Sequence, residues 1–193
     1  VSCGGNTDPA DTTTAAAGGD NTPADTTTAS VEETESPYDA NGYLKDSLDP
    51  DLNYNGEKFT ILYWQDVERI EFEVLEMTGD LIGDALYNRN AAVEDRLNID
   101  FEWIGTPGNY NNQAAFVSQV TNDVNSGGEY EVFSGYSMTA ATIALQGLSR
   151  NLMEVENIDF EKPWWPASLT ELTTINDRLY FCSGDISTNM LHM

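Results

Sequence analysis

Large apolar side chains are almost absent from the first part of the chain and recur regularly only from Lys58 onward. Residues 1–36 consist almost entirely of Thr, Ala, Asp, Gly, Asn, Ser, Pro and Glu, and the stretch PADTTTA occurs there twice. Such a composition buries too little apolar surface to offset the entropy lost on ordering. We therefore expect residues 3–56 to form a disordered, acidic linker that leads into a folded domain at residues 57–193.

Three segments of the folded domain have the pattern of β-strands. KFTILYW at residues 58–64 is rich in β-branched and aromatic residues, and IDFEWI at 99–104 alternates between apolar and polar positions. YEVFSGY at 130–136 is the third predicted strand. Close to the end, Asn176 and Asp177 can turn a hairpin whose arms are Leu172 to Ile175 and Arg178 to Cys182.

Helical spacing dominates between these strands. The stretch 81–97 has apolar residues on one stripe and the capping sequence TGD before it, whereas QDVERIEFEVLEM after the first strand is too mixed to predict a clean helix. A second helix ends at Gly127 and a third, short one ends at Gly147. The stripe residues are Ile82, Leu86, Val93 and Leu97 in the first helix and Phe116, Val117, Val120 and Val124 in the second.

The order strand, helix, strand, helix, strand predicts the α/β class. Right-handed crossovers give a mainly parallel sheet with helices on both faces. Ligands of such sheets gather outside the carboxyl ends of the strands, so we expect a site near those ends.

Charge and composition narrow the function classes. The chain has 8 Lys and Arg against 33 Asp and Glu, a net charge of -25, which disfavours nucleic acid as a partner. One histidine, His192, and two cysteines, Cys3 and Cys182, argue against His-dependent triads and against metal sites. Cys182, within the apolar YFC stretch, reads as a small buried hydrophobe and not as a nucleophile. We expect a monomer with no cofactor and no metal.

The first residues, VSC followed by GG, resemble the end of a bacterial lipoprotein signal. This resemblance makes residues 1–2 a signal-peptide remnant and Cys3 the lipidated residue. The lipid would tether the domain to the outer face of the cell membrane, with the linker as a flexible leash. The alternative is an incidental cysteine in a tail.

Three longer segments resemble the N-terminal lobe of an extracellular solute-binding protein of a bacterial ABC transporter, of the sugar-type family. These segments are ALYNRNAAVEDRLNIDFEW, YEVFSGYSMTAATIALQGLSRNLMEV and IDFEKPWWPASLTELTTINDRLYFCSGDIS. The resemblance implies a periplasmic-binding-protein-like lobe at residues 57–193, with the second lobe incomplete. It also implies capture of a carbohydrate, closure about a hinge and delivery to a permease.

Candidate ligand-binding residues follow the first and third strands. Sugar recognition needs flat aromatic faces and planar polar groups. Trp64, Gln65 and Asp66 combine the two, unless Trp64 is core and Asp66 only caps a turn. Tyr136 and Ser137 form a second candidate wall, with the alternative that Ser137 caps the next helix.

One further acid and the remaining tryptophans are the other candidates for ligand contact. Asp185, in the GDIS turn, could reach the cleft or could stabilise its own turn. Of Trp164 and Trp165, at most one is expected to face a ligand, because adjacent residues on a helix or turn point about 100° apart. Trp103 is expected in the core.

The two resemblances together imply an extracytoplasmic lipoprotein that binds an oligosaccharide for ABC-transporter import and catalyses no reaction. No nucleophile elbow, phosphate loop, zinc pattern or dinucleotide turn occurs in it. Two alternatives stay open: a surface glycan-binding lipoprotein not coupled to transport, and a lipoprotein enzyme whose catalytic residues lie elsewhere in a longer chain. Peptides and other small solutes also remain open as ligands.

Overall fold

The centre of the fold is a three-stranded sheet, seen in a computed structural model that describes residues 35–40 and 42–184. The strands are β1 (Glu57–Trp64), β2 (Ile99–Thr106) and β3 (Val132–Ser134), in the order β2–β1–β3. Both pairings are parallel, with Ile61 of β1 opposite Trp103 on one side and Val132 on the other. The helices are α1 (Gln65–Phe72), α2 (Leu81–Leu97), α3 (Gln113–Ser126), α4 (Ser137–Leu145) and α5 (Ala167–Thr173), with short 3-10 helices at Tyr110–Asn112 and Leu152–Glu154.

One face of the sheet packs on α3 and α4. Leu62 of β1 is fully buried against Phe116 and Val120 of α3 and Ile143 of α4. Half-buried side chains surround this cluster: Trp64, Ile104, Val117, Tyr130, Phe133 and Leu148. Full burial of Leu62 and Ile143 makes this cluster the main hydrophobic contribution to stability.

The opposite face packs on α1 and α2. Tyr63 follows Leu62 and points the other way, because side chains alternate along a strand. Its ring lies 5.8 Å from that of Phe72 in α1 and 6.0 Å from that of Trp103 in β2. From α2, the Arg89 guanidinium donates to the carbonyl of Glu71, so the two helices are joined by a side chain as well as by packing.

These contacts confirm the predicted α/β class and the parallel sheet with a helix layer on each face. The chain moves from β1 to β2 through α1 and α2, and from β2 back past β1 to β3 through α3. Right-handed crossovers in opposite directions require helices on opposite faces, as is found here. From Ile61 to Trp64, β1 has large apolar or aromatic side chains on both faces, because it is the central strand and is covered on each side.

Local capping chemistry sets the helix ends. The carboxylate of Asp80 accepts a hydrogen bond from the Gly83 amide at 2.7 Å and begins α2. Asn98, in the left-handed region at φ 50°, ends it. Gly127, at φ 121°, ends α3. These boundaries agree with those predicted from the sequence.

Several local expectations were wrong. Residues 65–72 form α1, which the mixed QDVERIEF pattern did not predict. The third strand is shorter than expected, only Val132–Ser134. The expected hairpin reduces to a single bridge between Ile175 and Arg178, because residues 167–173 form α5 in place of a strand arm.

The described residues fall into two units, divided between Lys45 and Asp46. In the first, Tyr38 and Leu44 form an isolated antiparallel bridge. In the second, residues 46–56, which the sequence analysis assigned to the linker, are bonded to the end of α2: the Tyr54 amide donates to the Leu97 carbonyl at 2.8 Å. Cys3 and most of the predicted linker lie outside the described residues.

Candidate functional site at the carboxyl edge of the sheet

The carboxyl ends of all three strands lie at one edge of the sheet, because the strands are parallel. The order β2–β1–β3 makes the boundary between β1 and β3 a topological switch point, where consecutive crossovers leave in opposite directions. Crevices at such points are the usual ligand sites of open α/β sheets. The predicted residue Trp64 is the last residue of β1, and Tyr136 follows β3.

Trp64 and Tyr136 are in direct contact. Their rings stack with centroids 5.9 Å apart and planes inclined by 23°. Both residues are half-buried, and Trp64 also packs against the main core. Gly108, in the loop after β2, lies so close to Trp64 that a Cβ built on it would overlap the Cβ of Trp64 and lie 3.1 Å from the Phe116 ring. Glycine is therefore needed there for the loop to cover Trp64.

Asp66 has a structural role in this edge. One carboxylate oxygen accepts from the Gly108 amide at 2.8 Å, and the other accepts from the amide and the side chain of Asn109. Desolvation raises the pKa of Asp66, but the hydrogen bonds from Gly108 and Asn109 outweigh it and hold the pKa below its usual value. Most of its acceptor capacity is thus used in joining the first turn of α1 to the loop after β2.

The other predicted residues differ in position. Gln65 is exposed, and its side chain lies over Gly105, where an added Cβ would be 2.5 Å from its Oε1. Ser137 is exposed as the first residue of α4, whereas Tyr136 is the residue at the cap position, so Ser137 does not cap that helix. Asp185 lies outside the described residues.

The loop after β2, TPGNYNN, was not predicted to belong to the site. This loop places Asn109, Tyr110, Asn111 and Asn112 at the same edge as Trp64. Tyr110 is 74% exposed, and Asn109 shapes the loop by accepting from the Asn111 amide at 2.9 Å. The available signal was the run of amide side chains directly after a predicted strand, which sequence inspection could have assigned to the edge.

Two helix starts at this edge contain polar atoms without a hydrogen-bond partner in the described structure. They are Nε2 of Gln113, the first residue of α3, and Oγ1 of Thr139, in the first turn of α4. Thr139 is only 1% exposed. Buried polar atoms normally have a partner, and both of these atoms are enclosed by protein atoms.

The edge is close to neutral in a strongly acidic chain. Residues 107–113 and 135–139, which follow β2 and β3, contain no charged side chain in the sequence. Asp66, in the first turn of α1, is bonded to the backbone amides of Gly108 and Asn109. The surface therefore presents aromatic rings, amides and hydroxyls, which suit an uncharged polar ligand.

Trp64 and Tyr136 line neither of the two best-defined cavities in the described residues. No grouping of three or more His, Cys, Asp or Glu side chains suited to a metal ion is found between residues 35 and 184, residue 41 excepted. Within the same residues, none of the helices has the length and hydrophobicity that a membrane span requires.

Two other predictions concern Trp103 and Cys182. Trp103 is half-buried between the rings of Tyr63 and Phe101, in keeping with a core role. Cys182 is exposed, which corrects the expectation of a buried thiol, and desolvation by nearby protein atoms raises the pKa of the thiol. A raised pKa disfavours the thiolate, which is the nucleophilic form of a cysteine.

Comparison with known proteins adds no relationship. The chain matches no family model, no curated protein and no solved structure.

Proposed function

We propose that the chain is an extracytoplasmic solute-binding lipoprotein that captures a carbohydrate, an oligosaccharide in particular, for import by an ABC transporter. The observation that carries this proposal is the stacked pair of Trp64 and Tyr136 at the switch point of a parallel sheet. An aromatic surface at this position is suited to the apolar C–H face of a pyranose ring.

The neighbouring loop supplies the complementary polar chemistry. Amide side chains both donate and accept, so Asn111 and Gln65 can each bond a sugar hydroxyl in either direction. Both residues are exposed. Tyr110 adds an exposed ring in the loop after β2. An uncharged, hydroxyl-rich ligand fits this surface better than an ionic one does.

The mechanism is binding without chemical change. In the proposed periplasmic-binding-protein-like arrangement, this lobe supplies one wall of a cleft and a second lobe supplies the other. The ligand stabilises the closed form, because only that form contacts it from both sides. The closed form is the species that a permease partner recognises. Lipidation of Cys3 would retain the protein at the outer face of the membrane, with no cofactor required.

Titration of the full chain with a panel of neutral oligosaccharides tests the binding proposal. Thermal shift identifies the ligand, because a ligand at 100 times its dissociation constant adds about 2.7 kcal/mol to stability. Calorimetry then compares variants. We expect Tyr136→Ala and Asn111→Ala to weaken binding by about tenfold, whereas Tyr54→Ala, at the opposite edge of the sheet, leaves it unchanged.

Three results would reject parts of the proposal. Binding that is indifferent to Tyr136 and Asn111 would exclude the carboxyl edge as the site. A ligand found only among peptides or ionic solutes would exclude the carbohydrate class. Release of shorter sugars during incubation, followed by chromatography, would show an enzyme in place of a binding protein.

A further inference from the structure

A cavity separate from the sheet edge lies where residues 46–48 approach residues 157–165. Its volume is about 150 Å³. A cavity of about 150 Å³ holds one six-membered ring. All of its lining residues belong to the unit that begins at Asp46.

The apolar part of the cavity wall includes Leu48, Ile158, Trp164 and Trp165. The position of Trp165 is fixed, because its ring packs against Phe160 with centroids 5.1 Å apart. Gly184 closes the other side, since a Cβ added there would lie 2.8 Å from the Trp165 ring. The cavity thus has a rigid indole wall and a second, half-buried indole beside it.

The polar part contains an ion pair that leaves room for a hydroxyl group. Nζ of Lys162 lies 3.7 Å from Oδ2 of Asp159, which is beyond hydrogen-bond length. The other oxygen of Asp159 accepts from the Glu161 amide at 2.9 Å. A hydroxyl beside this pair, at about 2.8 Å from each atom, would accept from Lys162 and donate to Asp159, so it would bridge the two.

The nearby Asp46 is already engaged. Arg96 donates to both of its carboxylate oxygens, and the Leu48 amide donates to one of them. The hydrogen bonds from Arg96 hold the pKa of Asp46 below its usual value against the opposing effect of desolvation. This pair therefore shapes the cavity rim, whereas Lys162 and Asp159 retain capacity for a ligand.

We propose that this cavity is a binding site for a single pyranose ring. The C–H face of the ring stacks on the indole of Trp164, and one hydroxyl bridges Lys162 and Asp159. A purely aromatic ligand would fill the same volume but would leave this ion pair unbridged. The site shares no residue with the carboxyl edge, so it stands independently of the function proposed above.

The test uses the full chain and methyl glycosides of glucose, galactose and mannose as probes. Saturation-transfer NMR and titration of tryptophan fluorescence detect the complex at millimolar probe concentrations. We expect Trp164→Ala and Lys162→Met each to weaken binding by about tenfold or more. Lys58→Met is the matched control, because Lys58 forms a comparable exposed ion pair with Glu102 on the sheet. Near-UV circular dichroism confirms that the variants are folded.

The outcomes separate this site from the carboxyl edge. Glycoside binding that is lost in Trp164→Ala and retained in Tyr136→Ala supports the cavity. Absence of glycoside binding, or binding that depends on Tyr136 and not on Trp164, overturns it, whatever the oligosaccharide titrations of the edge show. Binding of phenol or indole without any of the three glycosides also overturns it, because the ligand class would then be wrong.

Discussion

The rings of Trp64 and Tyr136 stack 5.9 Å apart and so join the ends of β1 and β3. Tyr136 is the cap residue of α4, so the same contact also fixes where that helix begins. The pair therefore links the central strand, a neighbouring strand and a helix at the proposed ligand surface.

We expect the side chains of Trp64 and Tyr136 to be energetically coupled. Aromatic pairs contribute about 0.5–1.5 kcal/mol beyond the area they bury. Urea unfolding of the wild type, Trp64→Ala, Tyr136→Ala and the double variant should give a coupling energy in that range. The same cycle for Trp64 and Tyr54, at opposite edges of the sheet, should be additive. Additivity for Trp64 and Tyr136 would show that stacking contributes nothing.

Asp66 should make stability depend on pH in acid. Its folded pKa is lowered, so its contribution is complete above the unfolded value of about 3.9 and is lost as the pH falls through the folded value. Asp66→Asn should therefore reduce stability at pH 7, by about 0.5–1.5 kcal/mol for the weakened hydrogen bonds. Urea midpoints of both proteins should converge as the pH is lowered toward 2. A constant difference across this range would contradict the assignment.

Two apolar residues of α4 offer a matched comparison of burial. Ile143 is fully buried in the main cluster, whereas Leu145 is 87% exposed. Ile143→Ala should cost about 2–5 kcal/mol, from lost burial and the cavity left behind. Leu145→Ala should change stability by less than about 0.5 kcal/mol. Chemical denaturation measures both, and similar losses in the two variants would mean that α4 does not pack as described.

A charge interaction between Glu71 of α1 and Arg89 of α2 is expected to stabilise the packing of α1. Glu71 is only 3% exposed, and desolvation lowers the pKa of Arg89 while the charge of Glu71 opposes that shift. Removing one charge leaves the other uncompensated, so Glu71→Ala should cost about 3 kcal/mol. Arg89→Met in the same chain should restore part of that loss. Strictly additive losses, measured by thermal unfolding, would exclude coupling between the two side chains.

The parts of the fold that the sequence predicted depend on local signals. β1, β2, α2 and α3 have strong periodicity, and residues such as Asp80 and Asn98 mark the ends of α2 chemically. α1 was missed because much of its stabilisation comes from distant contacts, such as the packing of Phe72 on Tyr63. The predicted strand from Leu172 to Ile175 was wrong because residues 167–173 form α5. A short apolar run does not distinguish a helix from a strand.

The candidate site was likewise predicted only in part from the sequence. Strand order alone brings Trp64 and Tyr136 to one edge, and the sequence was sufficient to expect that. The hydrogen bonds from Gly108 and Asn109 to Asp66 could not be predicted, because they depend on the path of the loop after β2. The cavity beside Trp164 likewise combines residues 46–48 with residues 157–165, which no sequence pattern relates.

The central strand is also the first strand of the sheet to be synthesised, and this order has a cost during translation. EKFTILYW leaves the ribosome with both hydrogen-bonding edges open, and its partners Ile99 and Val132 follow much later. An apolar segment of that kind pairs readily with copies of itself. Nascent chains should therefore need protection by a chaperone until β3 has emerged.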